Sequence, residues 1–209
     1  MKTIKHISQV RARTVEVSTW EPLNYSNLYD FEIAKRLGEA SSIHIEHLGS
    51  IIRDHRLNKF LCVSLLHKHF NLYSTERLLR RMNGNEMIIS PSQEDNVEPF
   101  VWSFAKRAPC EPFKLVPVEF LSYQSSVYFD DDRRTLIGSA QFLQDYLDEL
   151  CCRGLTNIFG LSLNPRRLFK LGPQDTLIEN DTPNRRRLTV SVVEENSIPK
   201  EYTQTNWNF

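Results

Sequence analysis

The chain has 209 residues with 26 basic and 26 acidic side chains, a formal net charge of zero, which disfavours a basic coat for DNA. With 40% apolar, 25% charged and 11% aromatic residues, the composition is that of a folded globular domain and not of a disordered, collagen-like or coiled-coil chain. No window offers the roughly 18 uncharged apolar residues of a membrane span, and Met1-Lys2-Thr3-Ile4-Lys5-His6 lacks a signal-peptide core, so a single cytoplasmic domain over 1–209 with no membrane partner is expected.

In chain order, alternation predicts strands over Thr3–Val10 and Thr14–Trp20, followed by a turn at Glu21-Pro22-Leu23-Asn24. Leu28, Phe31, Ile33, Ala34 and Leu37 recur at helical spacing within Asn27–Ala40, and a second helix is expected from Ser42 to about Asp54. Lys59–Phe70 is a β-competent run that is apolar on both faces through Leu66, the pattern of a central strand. Asn83-Gly84 between the apolar runs Leu78–Met82 and Asn85–Ile89 predicts a hairpin with a type I′ turn. Phe100–Lys106 and Phe113–Tyr123 form another antiparallel pair, reversed by Ala108-Pro109-Cys110-Glu111-Pro112.

Ser139 can cap a helix reaching Cys152, with Phe142, Leu143, Tyr146, Leu147 and Leu150 in one stripe and Gly154 as its stop. Strands are then expected over Asn157–Leu163, Thr176–Glu179 and Arg187–Val193, the last two around a turn at Asp181–Asn184. The polar, aromatic tail from Thr203 to Phe209 is expected to dock on the chain's own sheet through Trp207 and Phe209. These elements make an α+β fold: a mainly antiparallel sheet with two N-terminal helices and one helix near residues 139–152.

His67 and His69 are the first candidates for chemistry. Residues i and i+2 of a strand share a face, so two imidazoles stand together where a buried strand ends. Such a pair can divide acid and base roles, or bind a metal if a third ligand approaches. Glu76, seven residues beyond His69, and Glu119, which interrupts the apolar run Leu115–Leu121, are the expected orienting carboxylates. The competing reading has the histidines merely finishing the strand and Glu119 paired with a basic residue.

His44, His47 and His55 fall on one helical face with Ile51, opposite Ile43, Leu48 and Ile52, and read as a polar boundary beside a core stripe. Seventeen arginines against nine lysines cluster at Arg80-Arg81, Arg133-Arg134, Arg166-Arg167 and Arg185-Arg186-Arg187. If these converged they could hold phosphate or RNA, with Trp102, Tyr123 or Trp207 stacking on bases; Trp102, Arg166 and Arg167 are the expected substrate-binding residues. Cys62, Cys110, Cys151 and Cys152 form no CxxC pair. The absence of GxGxxG, Walker, GxSxG and HExxH patterns removes most support for nucleotide-dependent and α/β-hydrolase chemistry, so no cofactor is expected.

The segment Ile51–Glu76, centred on Leu65-Leu66-His67-Lys68-His69-Phe70, resembles a set of small fungal proteins without an assigned activity. The resemblance covers about a quarter of the chain and implies a fungal source and attention to His67, His69 and Glu76. The leading expectation is an enzyme of small-molecule, secondary metabolism that uses the paired histidines. The alternatives are a tRNA-dependent transferase making a small peptide or an RNA-binding module, and a non-catalytic protein-interaction domain.

Overall fold

The apolar strands assemble into one curled sheet. The computed structural model describes residues 16–18, 20–105, 111–126, 129–182 and 185–209. The strand expected over Thr3–Val10 lies outside these residues, as do residues 108–110 of the reversal after Lys106 and 183–184 of the last turn.

The elements in chain order are β1 (Glu16–Val17), α1 (Pro22–Ser26), α2 (Phe31–Ala40), α3 (Ile45–Asp54), β2 (Leu61–Leu65), β3 (Arg77–Asn83), β4 (Glu86–Ser92), β5 (Val97–Ala105), β6 (Lys114–Ser122), α4 (Tyr123–Ser126), α5 (Asp130–Gly138), α6 (Ala140–Arg153), β7 (Phe159–Leu163), β8 (Asp175–Thr182), β9 (Arg187–Glu194) and β10 (Asn206–Trp207). The sheet order is β10-β2-β7-β5-β6-β3-β4-β9-β8, with β1 paired to β6. All pairings are antiparallel except β1 with β6 and β3 with β6. The architecture is therefore α+β with a mostly antiparallel sheet.

Helices α2 and α3 correspond to the two expected near the N-terminus, joined by a single 3-10 turn at Ser42–His44. A further short helix, α1, replaces the turn expected at Glu21–Asn24, with Pro22 at its start, where a missing N–H costs nothing. Ile43, expected on the apolar face, is 80% exposed because the chain turns there before α3 begins. Helix α5 was not expected: it carries Asp130, Asp131 and Asp132 in its first turn, which suits the positive end of a helix but leaves too few apolar positions for a visible stripe.

Helix α6 buries Phe142, Leu143, Tyr146, Leu147 and Leu150 as expected and is followed by Gly154 at φ +69°. Ser139 stands at its N-cap position, yet its hydroxyl donates to the carbonyl of Thr135 instead of capping α6. The β3–β4 hairpin pairs Asn83 with Glu86, so its two loop residues are Gly84 and Asn85. Only Gly84, at φ +64°, is left-handed, the pattern of a type II′ turn and not of the expected type I′.

Two apolar clusters fill the fold. The larger packs α3 and α6 with β2, β5 and β7, including Leu48, Ile52, Trp102, Phe142, Tyr146 and Phe159. The smaller lies beneath β3, β4 and β9 and includes Tyr25, Leu78, Met87, Ile89, Phe169 and Leu188. Leu28 and Leu168 pack against both, which joins the two regions. The tail docks on the chain itself: β10 pairs Asn206 with Ser64 and Trp207 with Val63. Among the described residues, no helix is long and apolar enough to cross a membrane.

Candidate functional site

The strand carrying the paired histidines is shorter than its apolar run. β2 ends at Leu65, because the backbone then changes partners. Leu66 still donates to the carbonyl of Ile158, but Lys68 donates to Tyr29 and accepts from Phe31, forming a one-residue bridge with the segment between α1 and α2. Lys68 itself points away to the Ser26 carbonyl at 2.8 Å. His67 and His69 therefore flank Lys68 just beyond the strand, where the chain begins to bend at His69, and their rings still lie on one side.

The two rings meet. Nε2 of His67 is 3.0 Å from Nε2 of His69. Nδ1 of His67 donates to the Leu65 carbonyl at 2.9 Å, which fixes that ring and turns Nε2 toward its neighbour. Phe31 stacks on His69 with centroids 5.0 Å apart and presents its edge to His67 at 5.2 Å.

The carboxylate that joins them is Glu179 of β8. Its Oε1 lies 3.2 Å from Nε2 of His69 and 3.9 Å from Nε2 of His67, while Asp181 Oδ2 is 3.7 Å from Nδ1 of His69. β2 and β8 stand second and ninth in the sheet order, so only the curl of the sheet brings these groups together. The side chains of His67, His69 and Glu179 are 10%, 11% and 21% exposed: the centre is mostly buried, with its open edge on the β8 side.

Burial alone would drive His67 toward its neutral form. The Glu179 carboxylate, the Leu65 carbonyl and the charge of Glu119 reverse this and raise its pKa above the usual imidazole value. Burial would likewise favour neutral Glu179, yet its contacts with His67 and His69 and the charge of Arg80 hold its carboxyl far below the ordinary range. Tyr25 completes the wall. Its hydroxyl is buried and makes no well-formed hydrogen bond among the described residues; burial together with the Glu119 and Glu179 charges raises its pKa, against the opposing effect of the nearby His69 backbone.

The other expected site residues lie elsewhere. Glu76 accepts from both terminal nitrogens of Arg186, at 3.1 and 2.5 Å, and from the backbone N–H of Tyr73, so its oxygens turn to the arginine and not to the histidines. Glu119 is buried against Arg80, whose Nε and Nη2 lie 2.6 and 2.5 Å from Oε2; its charge is felt at His67 without a direct bond. Trp102, expected to stack on a substrate, is 1% exposed and belongs to the core. Arg166 donates to the Asp175 carbonyl at 3.1 Å, and Arg167 pairs with Asp132.

Arginines of two further clusters pair with acids in the same way. Arg81 pairs with Glu94, Arg133 with Asp130 and Glu98, and Arg134 with Asp131. These arginines are neutralised by the chain's own acids. His47 and His55 reach Glu149 and Asp145 of α6, at 3.5 and 2.9 Å, the polar boundary between packed helices.

Sequence reasoning missed Glu179 and Tyr25. A visible signal existed for the first: Glu179 and Asp181 repeat at i and i+2 the spacing of His67 and His69, but the strand is expected to stop at Glu179 with Asp181 in the turn, whereas β8 runs on to Thr182. Nothing in the local sequence shows that the two segments meet. The sequence matches no family model, and neither the curated proteins nor the solved structures contain a significant match.

Proposed function

We propose that the protein is an enzyme acting on a small molecule at the cluster of His67, His69 and Glu179, in secondary metabolism of the fungal type. The supporting observation is the meeting of two imidazole Nε2 atoms, 3.0 Å apart, with one carboxylate in a mostly buried centre. Assembling charge-bearing groups out of water contributes little to stability, because desolvation offsets their attraction. A cluster whose members are pushed in opposite directions is instead the arrangement that acid–base and metal-assisted catalysis require.

Two imidazoles and a carboxylate this close can pass a proton among themselves or share one cation. In either use the chemistry takes place at the edge where Glu179 and Asp181 are partly exposed, 21% and 49% respectively. His67 is anchored by Leu65 and faces inward, while His69, held between Phe31 and the two acids, is the imidazole nearer to them. The fungal and secondary-metabolic part of the reading rests on the resemblance carried by Ile51–Glu76.

The test is incubation of the purified protein with small-molecule extracts of fungal mycelium, followed by untargeted mass spectrometry. The wild-type protein should deplete at least one compound, at a rate reduced by about a hundredfold or more in His69→Ala and Glu179→Gln. Both variants should keep the native circular dichroism spectrum. Absence of depletion by the wild-type protein in polar and apolar extracts, or equal depletion by Glu179→Gln, overturns the reading.

A further inference from the structure

We propose that Nε2 of His67, Nε2 of His69 and a carboxylate oxygen of Glu179 bind a single divalent transition-metal ion of the zinc type. The inference deepens the proposed function by giving the same side chains a cofactor, and it can be tested without any substrate.

The first support is geometric. The three donor atoms lie within 4.8 Å of one another, with edges of 3.0, 3.2 and 3.9 Å. Ligands about 2.1 Å from one ion stand about 3.0 Å apart at right angles and about 3.4 Å apart at the tetrahedral angle. The observed triangle spans these values, so an ion can be seated by small rotations of side chains already in place. Two imidazoles with one carboxylate is also a donor set that suits zinc and its neighbours, and it excludes the oxygen-only preferences of calcium and magnesium.

The second support is the arrangement behind the ligands. A metal-binding imidazole characteristically gives its other N–H to a backbone carbonyl or a carboxylate, which fixes the tautomer and aims the free lone pair. His67 does this through Nδ1 to the Leu65 carbonyl at 2.9 Å, and His69 faces Asp181 through Nδ1 at 3.7 Å. Both Nε2 atoms are thereby directed into the space they share with Glu179. Phe31 packs on both rings and holds their planes.

The third support is independent of the three ligands. The Tyr25 hydroxyl is fully buried, and only an approach of the His69 backbone, short of a well-formed hydrogen bond, helps to satisfy it; a buried polar atom left so is costly. The groups that act on it are the charges of Glu119, Glu179 and Arg80 and the backbone of His69, which places it against the same centre. A water or substrate oxygen on the ion would give this hydroxyl a full hydrogen-bond partner. Three protein ligands leave a coordination position for such an oxygen, and a zinc-type ion supplies Lewis acidity and an acidified water there.

The experiment uses the full chain, expressed without an affinity tag, stripped with chelator and dialysed. Zinc is titrated by calorimetry, and cobalt(II) is added as a spectroscopic probe. The wild-type protein should take up one equivalent of either ion and show visible ligand-field bands of low coordination number with cobalt. His69→Ala and Glu179→Gln should weaken binding by about a hundredfold or more, and Asp181→Asn by about tenfold, as loss of an outer-shell partner does. A His47→Ala, His55→Ala double variant should bind as the wild type does, which separates this centre from the surface histidines. Should His69→Ala fail to fold, the near-isosteric Glu179→Gln carries the comparison. Equal affinity in the wild-type protein and Glu179→Gln, or a cobalt spectrum unchanged by that substitution, overturns the proposal. Compound depletion that persists in stripped protein overturns the metal and leaves direct proton transfer. One-equivalent binding without depletion sustains the metal and removes the enzymatic reading.

Discussion

The ring of Phe209 fills the space that a side chain on Gly49 would need: a Cβ at Gly49 would stand 2.2 Å from two of its ring carbons. The tail is thus seated directly on the backbone of α3, and Asn58 secures it by donating to the Phe209 carbonyl at 3.0 Å.

This contact makes the effect of Gly49→Ala depend on residue 209. In the native chain the added methyl must displace the ring, losing apolar burial worth about 1–2 kcal/mol. In a Phe209→Ala background the same substitution meets no ring, and the better helix propensity of alanine should stabilise the protein by up to about 1 kcal/mol. Urea unfolding of the four proteins in this cycle checks the expectation. Effects that simply add would show that Phe209 does not occupy this position in solution.

Removal of residues 202–209 should be more costly, because β10 contributes backbone pairs as well as rings. Leu65 donates to the Thr205 carbonyl at 2.8 Å, Ser162 donates to Asn206 at 2.9 Å, and Trp207 packs edge-on against Phe159 at 5.7 Å. A loss of about 3 kcal/mol or more, with an unchanged oligomeric state by light scattering, is expected. Retained stability with a changed oligomeric state would make the tail an intermolecular interface.

The contrast between what could and could not be read from the sequence follows the range of the interactions. Helix α6 and the strand pairs β3–β4, β5–β6 and β8–β9 carry their own periodicity and turns, so local patterning reveals them. The end of β2 is set by Lys68 pairing with Tyr29 and Phe31, a choice of partner that the continuous run through Leu66 conceals. The histidine pair was legible because alternation is a local rule. Its carboxylate was not, since Glu179 arrives through the curl of the whole sheet, whereas Glu76, nearer in sequence, is drawn to Arg186. The position of Glu119 in an apolar run fits either a site group or an ion-pair partner, and its closest bonds are to Arg80.

Arg80 and Glu119 make a buried pair whose loss should be asymmetric. Both residues are 8% exposed, and the guanidinium also lies over Phe100 at 5.4 Å. Glu119→Ala leaves the buried arginine without its direct partner and should cost about 3–5 kcal/mol. Replacing both together, with Arg80→Met and Glu119→Leu, should recover most of that loss because no unpaired charge remains. Thermal unfolding of the two variants beside the wild-type protein distinguishes the cases; a double variant as unstable as Glu119→Ala would show that the pair is needed for more than mutual neutralisation.

The pair of Glu76 and Arg186 should act on the acid side of the stability profile. Arg186 is held in a left-handed conformation at φ +47°, with its guanidinium on both oxygens of Glu76, on the Asn71 carbonyl at 2.7 Å and over the Tyr73 ring at 4.6 Å. Hydrogen bonding from Arg186 lowers the Glu76 pKa, outweighing the opposing effect of burial. A carboxyl whose pKa is lower in the folded than in the unfolded chain contributes its full stabilisation above the unfolded value, about 4.3, and loses it as the pH falls through the folded value. Arg186 stays protonated throughout, so the carboxylate alone sets the window. Glu76→Gln should therefore destabilise the protein at neutral pH by less than about 1 kcal/mol, since the arginine is partly exposed and screened by solvent. That difference should shrink toward zero as the pH falls below about 4. Unfolding by urea at a series of pH values measures it, and a difference between the two proteins that stayed constant down to the acid limb would mean that packing of the side chain, and not its charge, supports the turn around Arg186.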